Sequence, residues 1–133
     1  NGLLKQYLQD YEEVYDYRNI EVTIDEQDIF NVTINESLAV ALLTNLLKNA
    51  FVHNIDGGHI RITVTKNSIT FRNSGVENPL DKEHIFERFY QGTKKEGSTG
   101  LGLAIADSIC RLQHLSIRYY FEQEEHCFEI SRQ

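Results

Sequence analysis

Methionine is absent from this sequence of 133 residues, and the chain begins with Asn1. We therefore expect the sequence to be a piece of a longer protein. Cysteine is scarce: Cys110 and Cys127 are the only two, and their spacing makes no metal-type pair. Because Cys110 lies in an apolar helical pattern and Cys127 in a strand-like run, both are predicted to be buried free thiols, which fits a reducing cytosol.

Positive charge is in short supply. The sequence has 13 Lys and Arg residues and 20 Asp and Glu residues, so the net charge is −7. This balance argues against a nucleic-acid partner, because phosphate backbones are bound mainly through Lys and Arg. The sequence also shows no apolar run long enough to span a bilayer and no signal peptide. With 41% hydrophobic and 25% charged residues, we expect residues 1–133 to form one globular domain.

Three segments predict helices. Apolar residues recur at helical spacing over 3–17, and a broad apolar stripe covers Glu36–Asn54, with Asn35 as a plausible N-cap. A third helix is expected to begin between Thr99 and Gly102. The apolar face of this third helix comprises Leu101, Ile105, Ile109 and Leu112.

Alternation of apolar and polar residues predicts short strands between these helices. The strands are expected near 20–24, 30–34, 60–64, 69–71, 115–121 and 126–131. The first two should form one hairpin, the next two a second hairpin, and the last two should close the sheet. Strand pairs interleaved with single helices predict an α+β fold: a two-layer α/β sandwich with a mixed, mostly antiparallel sheet and about three helices on one face.

The central predicted helix carries an unusual polar edge. Asn45, Asn49 and His53 are spaced four residues apart, so their side chains share one edge. Asn is a mediocre helix former, because its side chain competes for nearby backbone groups. The two Asn residues are either solvated or hydrogen-bonded amides on an exposed face, or part of a binding site.

A glycine-rich stretch, Gly97–Ile105, runs into the third helix. The start of a helix offers unpaired N–H groups and the positive end of the helix dipole, and glycine lets a phosphate approach closely. The glycine order fits neither a dinucleotide fingerprint nor a P-loop. Taken alone, the stretch is a weak signal, and a flexible loop without a ligand is the alternative.

Taken together, four segments resemble the motifs of sensor histidine kinases. Asn45–Ala50 resembles their N box, Asn73–Gly75 their first glycine box, Phe86–Tyr90 their F box, and Gly97–Ile105 their second glycine box. Order and spacing agree over essentially the whole chain. The resemblance implies the catalytic, ATP-binding domain of such a kinase. Its fold is the Bergerat sandwich, shared with type II topoisomerases, MutL proteins and heat-shock chaperone ATPases.

The resemblance also implies roles for individual residues. Asn49 would hold Mg²⁺, which bridges ATP phosphates, and Asn45 would face the same phosphates. His53 would lie beside the nucleotide. Asn73 would receive the adenine amino group, and Gly75 would let the backbone turn beneath the base.

A mobile lid over residues 76–98 is a further implication. Phe86 and Phe89 would anchor it, although plain core aromatics are an equally good interpretation of these two residues. Over the triphosphate, the family places the second glycine box. The residues implied there are Thr99, Gly100, Leu101, Gly102 and Leu103.

The sequence departs from the family pattern at several positions. Asn73 stands where Asp is usual, which keeps an acceptor for the adenine amino group but loses the charge. Gly75 is followed by Val76-Glu77-Asn78 rather than by a second glycine. Val52 and Gln91 replace frequent cationic residues. Positive charge for the γ-phosphate must therefore come from Arg88, Lys94 or Lys95, or binding is weak.

The reaction implied is phosphoryl transfer rather than hydrolysis. Hydrolytic relatives have a Glu general base one turn before the N-box Asn, and here that position is Asn45, which cannot accept a proton. Phosphoryl transfer mainly needs positioning and charge neutralisation. The acceptor His is expected on an upstream dimerisation domain. None of the sequence's own histidines sits in an acceptor pattern; His59, His84, His114 and His126 are expected at the surface or with satisfied partners.

The resemblance extends to partners and place. It implies the kinase's own dimerisation domain and a cognate response regulator as partners, with no nucleic acid and no direct membrane contact. The chain would be a cytoplasmic domain of a bacterial protein anchored in the inner membrane. Two alternatives stay open: an anti-sigma-type Ser/Thr kinase of the same fold, and a degenerate ATP-binding scaffold.

Overall fold

The computed structural model describes residues 2–14, 16–30, 34–75, 86 and 102–132. A short 3₁₀ turn, Asp16–Arg18, follows the first helix. The helices and strands are, in chain order, α1 (Gly2–Val14), β1 (Glu21–Glu26), α2 (Glu36–Val52), β2 (His59–Val64), β3 (Ser68–Asn73), α3 (Gly102–Leu112), β4 (Leu115–Glu122) and β5 (Glu125–Arg132).

The described strands form one mixed sheet in the order β1-β2-β3-β5-β4. β1 and β2 are parallel, and the other neighbours are antiparallel. The second predicted hairpin is confirmed as β2 and β3, and the two closing strands are confirmed as β4 and β5. The predicted fold class, an α+β sandwich, is confirmed as well.

The first predicted hairpin is wrong. β1 pairs in parallel with β2, with Val22 opposite Ile60 and Ile24 opposite Ile62. Phe30 and Ile34 lie outside any strand, and residues 31–33 lie outside the described residues. Alternation identifies a strand but not its partner, and parallel pairing needs a long crossover. Here the crossover contains α2.

α2 forms much of the core. Asn35 is its N-cap, since Asn35 Oδ1 accepts a hydrogen bond from the Leu38 N–H at 3.3 Å. The buried stripe of α2 packs on the apolar face of the sheet, to which β2 contributes Ile60, Ile62 and Val64. The core members from α2 are Leu42, Leu43, Leu46, Leu47, Ala50 and Phe51.

α3 packs against α2 through a different face from the one predicted. Ile109 is buried, but Ile105 is 43% exposed and Leu112 is 67% exposed. The buried positions are instead largely small, such as Ala104 and Ala106. Small residues let two helices approach closely, which accounts for the burial of small side chains in place of Ile105 and Leu112. Leu101 lies outside the described residues.

The first predicted helix, over 3–17, is two elements, because α1 ends at Val14 and the turn at Asp16–Arg18 follows. Both cysteines are buried free thiols, as predicted. Burial raises the pKa of Cys110 to about 12 and that of Cys127 to about 11. Neither thiol is therefore ionised near neutral pH.

Candidate functional site

The polar edge of α2 lies beside the start of α3. Asn45, Asn49 and His53 are all partly buried, which is compatible with either interpretation of the row. Asn45 Nδ2 donates to the Ala41 carbonyl oxygen at 2.7 Å, which fixes the direction of the amide. Its oxygen faces α3: a Cβ added to Gly102 would lie 3.1 Å from Asn45 Oδ1.

Gly102 therefore favours close contact between the two helices. A side chain there would push Asn45 aside, since so short a contact is rare for a real Cβ. The first N–H groups of α3 have no partner within the helix and carry the positive end of its dipole. One corner of the molecule thus places an amide oxygen next to a helix start suited to phosphate.

Asn73 ends β3 as a buried polar residue, with 2% of its surface exposed. Its Nδ2 donates to the Ser74 carbonyl oxygen at 2.8 Å. Within the described part of the chain, no donor reaches Asn73 Oδ1. A buried acceptor without a donor costs roughly 1 to 3 kcal/mol, so this oxygen fits a site completed by a ligand N–H.

Gly75 brings three elements together next to Asn73. A Cβ on Gly75 would lie 2.9 Å from the His53 carbonyl oxygen and 3.2 Å from His126 Cδ2. The end of α2, the segment after β3 and the start of β5 therefore meet with no room for a side chain. Glycine at this position therefore has a steric basis, while the predicted role of Gly75 beneath the base stays a prediction.

A polar network beneath this junction was missed in the sequence. Asn54 is fully buried, and its Oδ1 accepts from Ser74 Oγ at 2.6 Å and from the Ile55 N–H at 2.8 Å. Ser74 Oγ in turn accepts from the His59 N–H at 2.8 Å. A Cβ on Gly58 would lie 2.2 Å from Asn54 Oδ1. The network ties the end of α2 to β2 and β3.

Arg18 binds the C-terminal end of α2 and the residues that follow it. Its guanidinium donates to the carbonyl oxygens of Phe51 and Asn54, each at 2.5 Å, and to Asp56 Oδ1 at 2.8 Å. A cation at the C-terminus of α2 also complements the helix dipole. No local pattern could have identified Arg18, since its partners lie more than 30 residues away.

The remaining predicted site residues divide into two groups. Phe86 is partly buried and meets Phe128 edge-on, with ring centroids 6.2 Å apart, which favours its interpretation as a core aromatic. Leu103 is partly buried on α3, and Val52 is buried at the end of α2. Outside the described residues lie Arg88, Phe89, Lys94, Lys95, Thr99, Gly100 and Leu101, and with them nearly all of the predicted lid.

The described histidines outside the motifs are accounted for. His59 Nε2 lies 2.7 Å from Glu125 Oε2, and His126 Nδ1 lies 2.7 Å from the Tyr119 hydroxyl oxygen. His114 is exposed, and His84 lies outside the described residues. The expectation of surface or satisfied histidines is confirmed for these three, but His126 borders Gly75, which the sequence did not indicate.

Solved structures with this fold include catalytic domains of histidine kinases. The catalytic domain of histidine kinase ThkA superposes with a TM-score of 0.84 at 24% identity, covering 98% of this chain and 89% of that one. A second structure holds ThkA in complex with the response regulator protein TrrA, with a TM-score of 0.77 at 25% identity over 100% of this chain and 40% of that one. The chain thus has the α+β sandwich fold of the histidine kinase catalytic domains.

The profile of the histidine kinase-, DNA gyrase B- and HSP90-like ATPases matches residues 34–131, and the chain belongs to this family. The heme sensor protein HssS of Staphylococcus aureus strain Newman is 34% identical over 124 residues, 90% of this chain and 27% of HssS. The sensor histidine kinase RppB of Synechocystis is 43% identical over 84 residues, 56% of this chain and 18% of RppB.

The resemblance to the catalytic domain of sensor histidine kinases is therefore confirmed. The chain spans about a quarter or less of the length of these curated relatives. In the described ranges, no helix is long and apolar enough to cross a membrane.

Proposed function

We propose that this chain binds Mg·ATP and directs the γ-phosphate to a histidine on an upstream dimerisation domain of the same kinase. One observation carries the binding half: Asn73 Oδ1 is buried without a donor among the described residues, at the position that the family uses for adenine. The exocyclic amino group of adenine would supply the missing donor.

The phosphates belong at the opposite end of the site. At Gly102 the start of α3 offers helix N–H groups to negative oxygens. The neighbouring Asn45 side chain presents its acceptor Oδ1, since its Nδ2 is held by the Ala41 carbonyl oxygen. Asn49, one turn along α2, is the residue that would hold Mg²⁺, and the charge of the ion would neutralise the phosphate oxygens. The described residues therefore support a nucleotide site, and Asn49 would contribute an amide oxygen to Mg²⁺.

Transfer is favoured over hydrolysis because of Asn45. An amide cannot act as a general base, and the Nδ2 of Asn45 is already engaged with the Ala41 carbonyl oxygen. Water near the γ-phosphate would thus gain no activation from this position. The acceptor must then be a nucleophile brought by another domain.

The partners follow from the same proposal. ThkA has been solved with a response regulator, and we infer an equivalent partner for the kinase to which this chain belongs. Placement in the cytoplasm, on a protein anchored in the bacterial inner membrane, remains a prediction.

Radiolabelled ATP tests the reaction in three samples: this chain, a longer chain with the dimerisation domain, and the two mixed. We expect no autophosphorylation and little phosphate release from this chain alone, and acid-labile, base-stable phosphohistidine in the other two samples. Brisk phosphate release would assign it to a hydrolase branch. Acid-stable phosphoserine on an added protein would favour an anti-sigma-type kinase. Nucleotide binding without transfer in the longer chain would favour a degenerate scaffold.

A further inference from the structure

His126 is a buried residue at the edge of the adenine region to which no motif assigns a role. It is the second residue of β5, 4% exposed, and its Cα partner across the sheet is Asn73. Residues directly opposite in an antiparallel pair project to the same face, with Cβ atoms about 5 Å apart. The imidazole therefore lies on the same side of the sheet as the Asn73 amide.

One edge of the His126 ring is anchored. Nδ1 shares a hydrogen bond of 2.7 Å with the hydroxyl of Tyr119, which is itself buried. The two rings are nearly parallel, with centroids 5.9 Å apart, and Phe121 meets the imidazole edge-on at 4.9 Å. These contacts from β4 fix the ring plane and its direction.

The opposite edge of the ring faces Gly75. A Cβ on Gly75 would lie 3.2 Å from His126 Cδ2 and 3.5 Å from Nε2, while the His53 carbonyl oxygen closes the other side at 2.9 Å. Gly75 thus occupies a slot between α2 and β5. A smaller side chain at residue 126 would open one wall of that slot.

The slot can affect the position of Asn73, because only Ser74 separates Asn73 from Gly75. The Asn73 amide must turn Nδ2 toward the Ser74 carbonyl oxygen, since an oxygen could not donate there, and Oδ1 is left facing the site. The position of Ser74 is set on one side by Asn54 and on the other by Gly75. Movement of Gly75 would therefore shift the acceptor that reads the ligand.

We propose that His126, locked by Tyr119, is a positioning residue for adenine recognition: it holds the Asn73–Gly75 segment so that Asn73 Oδ1 meets the exocyclic amino group. This inference rests on the proposed function. His126 acts through Gly75 and Asn73, and no contact with the nucleotide is required.

The test compares ATP with purine riboside triphosphate, which lacks the exocyclic amino group. Calorimetry gives a Kd for each nucleotide, and their ratio isolates the amino-group contact from triphosphate binding. The variants are His126→Ala, Tyr119→Phe and Asn73→Ala. His59→Ala is the matched control, because the His59 side chain pairs with Glu125 on the other face of the sheet.

The wild-type chain should prefer ATP, and we expect His126→Ala to reduce this preference about fivefold and Tyr119→Phe about twofold, as for a hydrogen bond that loses its alignment. His59→Ala should leave the ratio unchanged. In the Asn73→Ala background, adding His126→Ala should not reduce the ratio further, since the contact is already lost.

A merely structural role would weaken both nucleotides equally and leave the ratio intact, which would overturn the proposal. If His126→Ala does not fold, Tyr119→Phe decides, because it removes only one hydroxyl: an unchanged ratio would again overturn it. A wild-type ratio of one would mean that the amino group is not recognised. It would overturn this proposal without contradicting ATP binding. Failure of the wild-type chain to bind either nucleotide would instead reject the proposed function, and this inference with it.

Discussion

Two buried polar groups lie at the same end of the sheet, on opposite faces, and differ in one respect. Asn73 faces the helices, and its Oδ1 has no donor within the described residues. Glu125 lies on the other face and is fully partnered: Arg61 donates to both of its oxygens, at 2.6 and 3.0 Å, and His59 lies 2.7 Å from one of them.

Under the proposed function, this difference separates a ligand-binding group from a structural contact. Both residues are about 95% buried or more, so burial alone does not distinguish them. A complete set of partners stabilises the fold and leaves nothing for a ligand. An acceptor held in place but left without a donor has a cost that a ligand can remove. We therefore expect changes at Asn73 to affect binding and changes near Glu125 to affect folding.

The largest effect is expected for Asn73→Ala. Loss of the acceptor should weaken ATP binding by about 1 to 3 kcal/mol, because the adenine amino group would be buried without a partner. Calorimetry with ATP and GTP measures this loss, and Asn73→Asp, which restores an acceptor and adds charge, should keep or improve affinity for ATP. Equal binding of ATP and GTP, unaffected by Asn73→Ala, would mean that the adenine pocket lies elsewhere.

The converse change is Glu125→Gln. Burial acts to raise the pKa of Glu125, but hydrogen bonds and charge attraction from Arg61 and His59 outweigh it, so its pKa lies below the ordinary 4.5. Since Arg61 is about half exposed, we expect a loss of only about 1 to 2 kcal/mol in the free energy of unfolding at pH 7. ATP affinity should not change; a weakened Kd would end the separation between the two faces.

The same variant has a defined pH dependence. Because the pKa is lowered on folding, the unfolded state binds more protons as pH falls below about 4.5, and the stabilisation by Glu125 disappears as pH passes through the folded-state pKa. Urea unfolding at a series of pH values should therefore show a gap between wild type and Glu125→Gln that is full above pH 5 and closes in acid. A gap independent of pH would contradict the assignment to the carboxylate.

A smaller effect is expected at the phosphate end. Gly102→Ala places a methyl group 3.1 Å from Asn45 Oδ1, which must move by a few tenths of an ångström. We expect ATP binding to weaken about threefold because the start of α3 is shifted against Asn45, while adenosine binding stays unchanged. Gly2→Ala, with nothing within 4 Å of its added Cβ, is the matched control. Equal loss for ATP and adenosine would place the effect outside the phosphate region.

The smallest effect concerns the two thiols, which belong to the structural side of the comparison. With pKa values raised by burial to about 12 and about 11, Cys110 and Cys127 should react very slowly with iodoacetamide at pH 8. Mass spectrometry should find them unmodified in the folded chain and rapidly alkylated in urea. Fast labelling of the folded chain would contradict their burial.

Local patterns in the sequence predicted much of the fold. The stripe of α2, the N-cap at Asn35 and the hairpin β2–β3 depend on residues close together in the chain, so spacing was sufficient to find them. The pairing of β1 with β2 was mispredicted, because pairing is decided by long-range packing rather than by alternation. The buried face of α3 was mispredicted because close approach of two helices favours small side chains over large ones.

The candidate site divides in the same way. The sequence by itself supplied the candidate residues: helical spacing singled out Asn45 and Asn49, and the resemblance to the kinase motifs singled out Asn73 and the glycines. Only the tertiary structure decided which groups are left without partners and what holds them. The contacts of Arg18, Asn54 and His126 join residues from separate elements. Whether a buried polar group is available to a ligand depends on whether a protein partner already reaches it. That property belongs to three-dimensional packing, and no stretch of sequence contains it.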